Sequence, residues 1–176
     1  MALILIKESG TGLPDANAYA DAADGDAYFD GHLYAMAWTA ASAGNKDAAL
    51  VFATRLIDAE YQFYGFTTKA AQALSLPRQR CPDPDGESGE IGFLPSDAIP
   101  KEVLQATCEM ARELLILDRT AAPLGEGLKY QNVGSDQTGY SKTDVRPIIS
   151  HVAQALLAKF GTLIKSKSGS VSLVRV

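Results

Sequence analysis

Two histidines, two cysteines and one short acidic stretch are the residues of this chain most suited to chemistry, and none falls into a productive spacing. His32 and His151 stand apart from any cysteine or carboxylate pattern, whereas metal sites draw their ligands from short, regular spacings. Cys81 and Cys108 form no CxxC and supply no disulfide framework, so a reducing compartment is expected. Asp83, Asp85, Glu87 and Glu90 resemble part of a calcium loop. That loop also needs a third ligand before its glycine, a closing Glu and flanking helices, which Pro82 and Pro84 oppose. Ser9, Gly10, Thr11 and Gly12 make a glycine-rich turn that lacks the Lys-Ser/Thr end of a phosphate loop. No serine sits in a nucleophile elbow. A non-enzymatic protein without metal or cofactor is expected.

Nucleic-acid binding is the other chemistry to weigh. Tyr61, Phe63, Tyr64 and Phe66 lie near Lys69, Arg78 and Arg80, and exposed rings beside cations are what single strands stack upon. The helical spacing of these rings inside an apolar pattern assigns them to the core instead. The basic C-terminal region is the better candidate for a surface facing DNA. Residues 142–176 carry six cations against Asp144, leaving +5, while residues 1–37 carry six acids against Lys7, leaving −5. Opposite ends of this kind suit head-to-tail contact between identical subunits.

The elements that must position these residues follow from periodicity. Residues 45–66 read as a central helix, with Leu50, Ala53, Ile57, Tyr61 and Tyr64 on one face, Asn45 as N-cap and Gly65 as C-cap. Trp38, the only tryptophan, is placed to pack on its entry. Asp21 caps a first helix over residues 22–33, with Ala22, Ala23, Ala27, Tyr28 and Leu33 turned inward and Gly25 weakening it. A third helix starts near Pro100, burying Val103, Leu104, Met110, Leu114 and Leu117 and wetting Glu102, Glu109, Arg112 and Glu113. A fourth opens at Pro147, with Ile148, Val152, Ala155, Leu156 and Phe160 inward and Gly161 ending it.

Small β elements surround these helices. They are an N-terminal strand over residues 2–7, a hairpin near 80–95, and a C-terminal strand in which Val171 and Leu173 alternate with Ser172 and Val174. The fold class is therefore mainly α: a bundle of about four helices with small β elements. Trp38, Leu50, Ile57, Tyr61 and Leu114 form the expected core scaffold. Residues 1–161 form the bundle domain, with a projecting loop near 128–144, and residues 162–176 form an extended arm.

Length and composition agree with one globular domain: 176 residues, 47% hydrophobic, 21% charged, net charge −5. That acidic balance opposes a dedicated nucleic-acid binder. The apolar runs fall short of the ~20 residues of a membrane span. The first ten residues lack the basic lead and cleavage site of a signal peptide, so a cytoplasmic product is expected.

Several ordered stretches carry a family resemblance: GTGLPDANAYADAADGDAYF, AWTAAS, KDAALVFATRLIDAEYQFYG, ALSLPR, a DxDG turn and AIPKEVLQATCEMA. Together, over about residues 10–111, they resemble the DnaT-like single-stranded DNA-binding proteins of tailed phages and prophages. The terminal SGSVSLVRV resembles that family's Val/Arg-rich tail, while residues 128–144 match least well. In length and helical make-up such proteins resemble head-tail connectors, or adaptors, that complete the head below the portal. The resemblance then implies a structural virion protein forming a homo-oligomeric ring, expected as a dodecamer. Its partners would be the portal protein and a tail, stopper or nozzle protein, with genomic double-stranded DNA passing through the channel and no membrane. On this reading Lys165 and Lys167 lie in the linker, and Val171, Leu173, Val174 and Arg175 contact the portal or the next subunit. The protein would assemble in the host cytoplasm and reside at the head-tail interface of the virion. The alternative is a replication accessory protein that binds single-stranded DNA, as the family description implies.

Overall fold

The computed structural model describes residues 3–83, 92–122, 129–133, 136–139 and 146–164. The fold is mainly α with small antiparallel strand pairs. Two long helices, α3 (Ala43–Glu60) and α4 (Lys101–Ile116), pack on each other, and α5 (His151–Leu157) lies against α4. The shorter α1 (Ala22–Phe29) and α2 (Met36–Thr39) also rest on α4. Leu50, Ala53 and Ile57 of α3 meet Val103, Ala106, Met110 and Ala111 of α4 in one buried cluster. Each buried Leu or Ile there contributes roughly 1.5–3 kcal/mol of transfer free energy.

The starts of α1, α3 and α5 follow side-chain caps, while α2 and α4 begin without one. Asp21 accepts from Asp24 N–H while the Asp24 carboxylate accepts from Asp21 N–H, a reciprocal capping box that fixes the start of α1. The helix ends at Phe29, four residues short of the expected Leu33, and Ala23 and Ala27 face solvent. Its buried residues are Gly25 and Phe29, because Trp38 packs over Gly25, where a Cβ would overlap the indole. Gly25 is thus the residue that admits the tryptophan. Ser42, not Asn45, caps α3, its hydroxyl accepting from Asn45 N–H. The helix then stops at Glu60, and residues 61–63 leave it as a strand.

That strand, β1 (Tyr61–Phe63), pairs antiparallel with β6 (Gly161–Leu163), so Gly161 opens a strand as well as following a helix. Gly161 allows the approach, since a Cβ there would press on the backbone of Gln62 and Phe63. α5 is capped by Ser150 and buries Ala153 and Leu157, with Ile149 before it and Phe160 after it also buried. Of the expected inward face, Phe160 is buried and Ile148 and Leu156 pack partly buried against the core, while Val152 and Ala155 are exposed. Trp38, Leu50 and Ile57 are fully buried, Tyr61 is buried, and Leu114 packs partly buried against the same cluster.

The remaining β elements are short. β2 (Phe66–Thr67) pairs with β3 (Arg78–Gln79), and β4 (Tyr130–Val133) with β5 (Asp136–Gly139), placing a hairpin within the expected loop. The expected N-terminal strand is reduced to one parallel bridge between Lys7 and Ala18. The hairpin near 80–95 is a single bridge, Pro82 to Phe93; residues 84–91 between them lie outside the described residues. The C-terminal arm, with Lys165, Lys167, Val171, Leu173, Val174 and Arg175, also lies outside them.

Candidate nucleic-acid interface

The four rings that sequence placed together divide into two pairs. β1 alternates inward and outward, so Tyr61 and Phe63 enter the core while Gln62 faces solvent. Tyr61 and Phe63 lie with ring centroids 6.1 Å apart, and the Tyr61 hydroxyl donates to the Gln154 carbonyl at 3.3 Å. After Phe63 the chain turns through Gly65, whose φ of +75° suits glycine, and Tyr64 and Phe66 emerge exposed. Assigning all four rings to a core helix is therefore corrected for these two. The helix had already ended.

Of the three nearby cations, Arg78 is occupied. Its guanidinium donates to the carbonyls of Tyr64 (2.8 Å), Gly65 (2.7 Å) and Ser75 (3.2 Å), holding the turn that projects the two rings. Lys69 and Arg80 are exposed and join no ion pair between described residues. Tyr64 also walls an open groove of about 510 Å³ between α5 and the β1–β6 ribbon, shared with His151, Gln154, Ala158 and Leu163. Aromatic faces beside uncommitted cations can stack a base and neutralise a phosphate.

Other candidate sites are taken up by the protein itself. The glycine turn does hold an anion, and the anion is Glu8. Gly10, Gly12 and Leu13 N–H donate to its buried carboxylate at 2.9, 2.9 and 2.8 Å. Positive φ at Gly10 and Gly12 aims the amides inward, so the nest is filled from within. His32 has a carboxylate neighbour after all: its Nε2 lies 3.6 Å from Glu109 Oε1. Glu109, expected in water, is buried and accepts from the Tyr28 hydroxyl (3.0 Å) and from Arg112 (3.0 Å). Burial and this carboxylate push the Tyr28 hydroxyl up to about 12.

The expected acidic end is also partly neutralised. Lys7 pairs with Asp21 and Asp24, and Lys46, outside that segment, pairs with Asp26 at 2.7 Å. Among the described residues no group of His, Cys, Asp and Glu could hold a metal ion; Asp85, Glu87 and Glu90 lie outside them. No helix among them is long and apolar enough to cross a membrane.

One family model, described as "Putative DnaT-like ssDNA binding protein", matches residues 1–176. The chain belongs to this DnaT-like family. No curated protein and no solved structure matches it. The stretches that distinguish the sequence map mainly onto buried parts of this DnaT-like protein: the Glu8 nest, the α1 cap, Trp38 and the α3 and α4 cores. Sequence reasoning passed over the exposed apolar residues Leu33, Tyr34 and Met36, having turned Leu33 inward. The available signal was the absence of any formal charge between Asp30 and Lys46.

Proposed function

We propose that this protein is a non-enzymatic binder of single-stranded nucleic acid, engaging it along the edge formed by Tyr64 and Phe66 with Lys69 and Arg80. The observation that carries this reading is the exposure of both rings on a turn braced by Arg78, with the exposed Arg80 following Gln79, the strand partner of Phe66. The family description supports the same class of ligand. The net charge of −5 limits binding to that local patch and makes it sensitive to salt. Anisotropy of a labelled oligonucleotide tests it: log affinity should fall linearly with log salt. Phe66→Ala and Tyr64→Ala should each weaken binding by about 1–3 kcal/mol, the worth of one stacked base. No binding by the wild-type protein at low salt overturns the reading.

A second reading is favoured by the exposed, uncharged Leu33, Tyr34 and Met36, a surface suited to protein and poorly suited to phosphate. On it the chain is a virion head-tail connector whose copies form a ring below the portal, with DNA in the channel. The arm residues Val171, Leu173, Val174 and Arg175 would dock on the portal or a neighbour, and Lys165 and Lys167 would lie in the linker. Truncation after Ile164 leaves β6 in place and tests this directly. A truncated protein that still joins portal-containing heads normally overturns the arm contact.

A further inference from the structure

We infer that Asp58 of α3, with Tyr19, is a positioning residue for the nucleic-acid edge, setting through Ser75 and Arg78 where Tyr64, Gly65 and Arg80 stand. This role deepens the single-strand reading above and rests on it, because it assigns what holds that same edge in place. The contacts start in the core. Tyr19 is fully buried, and its hydroxyl donates to Asp58 Oδ1 at 2.5 Å. Ser75 N–H donates to Asp58 Oδ2 at 3.0 Å, and Leu76 N–H donates to the Tyr19 hydroxyl at 3.2 Å. Two consecutive loop amides are thus taken by side chains from α3 and from the segment before α1. Leu76 is itself buried, so its amide needs that partner.

Arg78 carries the placement outward. Its Nη1 donates to the Ser75 carbonyl at 3.2 Å, and the same guanidinium donates to the carbonyls of Tyr64 and Gly65 at 2.8 and 2.7 Å. A guanidinium is planar and rigid, so one group bonded to three carbonyls fixes their mutual placement. Gly65 in turn lies against residues 79–80, where a Cβ on it would overlap the Gln79 carbonyl and press on that of Arg80. Arg80 has a φ of +54°, a left-handed conformation uncommon for a residue with a side chain. Such conformations persist where the surroundings over-determine them, and they cluster at ligand sites.

The ribbon itself supplies little support. β2 and β3 share two residue pairs, Phe66 with Gln79 and Thr67 with Arg78. A two-stranded ribbon is at best marginally stable alone, so the placement of Phe66 and Arg80 depends on the side chains that tie it to the core. Other bonds hold the loop nearer its start: Ala73 N–H donates to the Leu13 carbonyl at 2.9 Å, and the Thr68 hydroxyl to the Ser96 carbonyl at 3.0 Å. Neither touches Ser75 or Arg78. The bonds from Asp58 and Tyr19 are the ones that meet the loop beside the Arg78 clamp.

Oligonucleotide anisotropy over a salt series separates positioning from stability. A variant that is merely less stable loses the same active fraction at every salt concentration, which leaves the slope of log affinity against log salt unchanged. A variant that displaces Arg80 loses a phosphate contact, and the slope becomes shallower by about 0.7 for a single strand. Asp58→Ala should show that loss, as Arg80→Gln does, and the double variant should lose no more than either alone. Tyr19→Phe keeps the ring in the core and should move the slope in the same direction. In the free protein, amide exchange at residues 64–67 and 78–80 should quicken in Asp58→Ala and in Tyr19→Phe while α4 stays protected. A wild-type slope in both variants, or exchange that stays unchanged or rises equally in α4, overturns the positioning role. Wild-type protein that does not bind at low salt ends the nucleic-acid reading and this role together, an outcome distinct from binding with an unmoved slope.

Discussion

Gly25 lies flat against the Trp38 indole, so close that a Cβ built on it would overlap the ring. The same tryptophan donates from Nε1 to Asp26 Oδ1 at 2.8 Å, and Lys46 sits 5.1 Å above its ring. Alanine is the better helix former by about 1 kcal/mol, so helix propensity alone predicts that Gly25→Ala stabilises. Overpacking a close-packed site costs about 1–3 kcal/mol, and the overlap is with a rigid ring. We expect the variant to be less stable in urea unfolding, with a red-shifted tryptophan emission. Wild-type stability or better would refute the packing account.

Glu109 is buried among Tyr28, Arg112 and His32, whereas Glu102 meets Lys159 at 3.8 Å nearer the surface. Removing one partner from a buried charged pair costs about 3–5 kcal/mol, because the other charge is left without compensation. A surface pair is worth at most about 1 kcal/mol. Glu109→Ala should therefore destabilise by several-fold more than Glu102→Ala in the same denaturant titration. Equal effects would place Glu109 outside any buried network.

Burial raises the Asp58 carboxyl above its usual 3.8, against the opposing hydrogen bonds from the Tyr19 hydroxyl and Ser75 N–H. A raised folded value means the fold favours the protonated acid. Its stabilising contribution is complete below 3.8 and is lost as pH rises through the folded value. Asp58→Asn keeps an acceptor for Tyr19 without a titrating group. The stability of the wild type relative to this variant should fall as pH rises from below 3.8 through the folded value. A constant difference across that range would contradict the desolvation argument.

Cys81 and Cys108 are buried and unpaired, and burial pushes the Cys108 thiol up to about 12 and the Cys81 thiol upward as well. The thiolate is the reactive form, so neither should be modified by a thiol reagent in the native protein. Both should react once the chain is denatured. A fast-reacting thiol in the native state would show that one of these sites opens.

Much of the scaffold was legible because its signals are local. The Asp21–Asp24 capping box spans four residues, and the buried faces of α3 and α4 repeat at helical spacing. Errors arose where two local patterns competed. Asn45 and Ser42 are both good caps, and the chain uses Ser42. Around α5, the series beginning at Ile148 and Ile149 differ by one residue, and packing on α4 selects the second.

The sequence by itself determined the mainly α architecture, the core identity of Trp38, Leu50 and Ile57, and the absence of a recognised catalytic pattern. Only the tertiary structure decided which aromatics reach solvent, and the reason is physical. Tyr61 and Phe63 are buried because β1 pairs with β6, a partner some hundred residues away, and that pairing ends the helix at Glu60. Glu109 is dry because Tyr28 and His32 come from a distant segment to cover it. Periodicity reports which side of one element is apolar; it carries no information about what arrives to cover the other side. Tyr64, Phe66, Leu33, Tyr34 and Met36 are among the apolar side chains that nothing in the described fold arrives to cover.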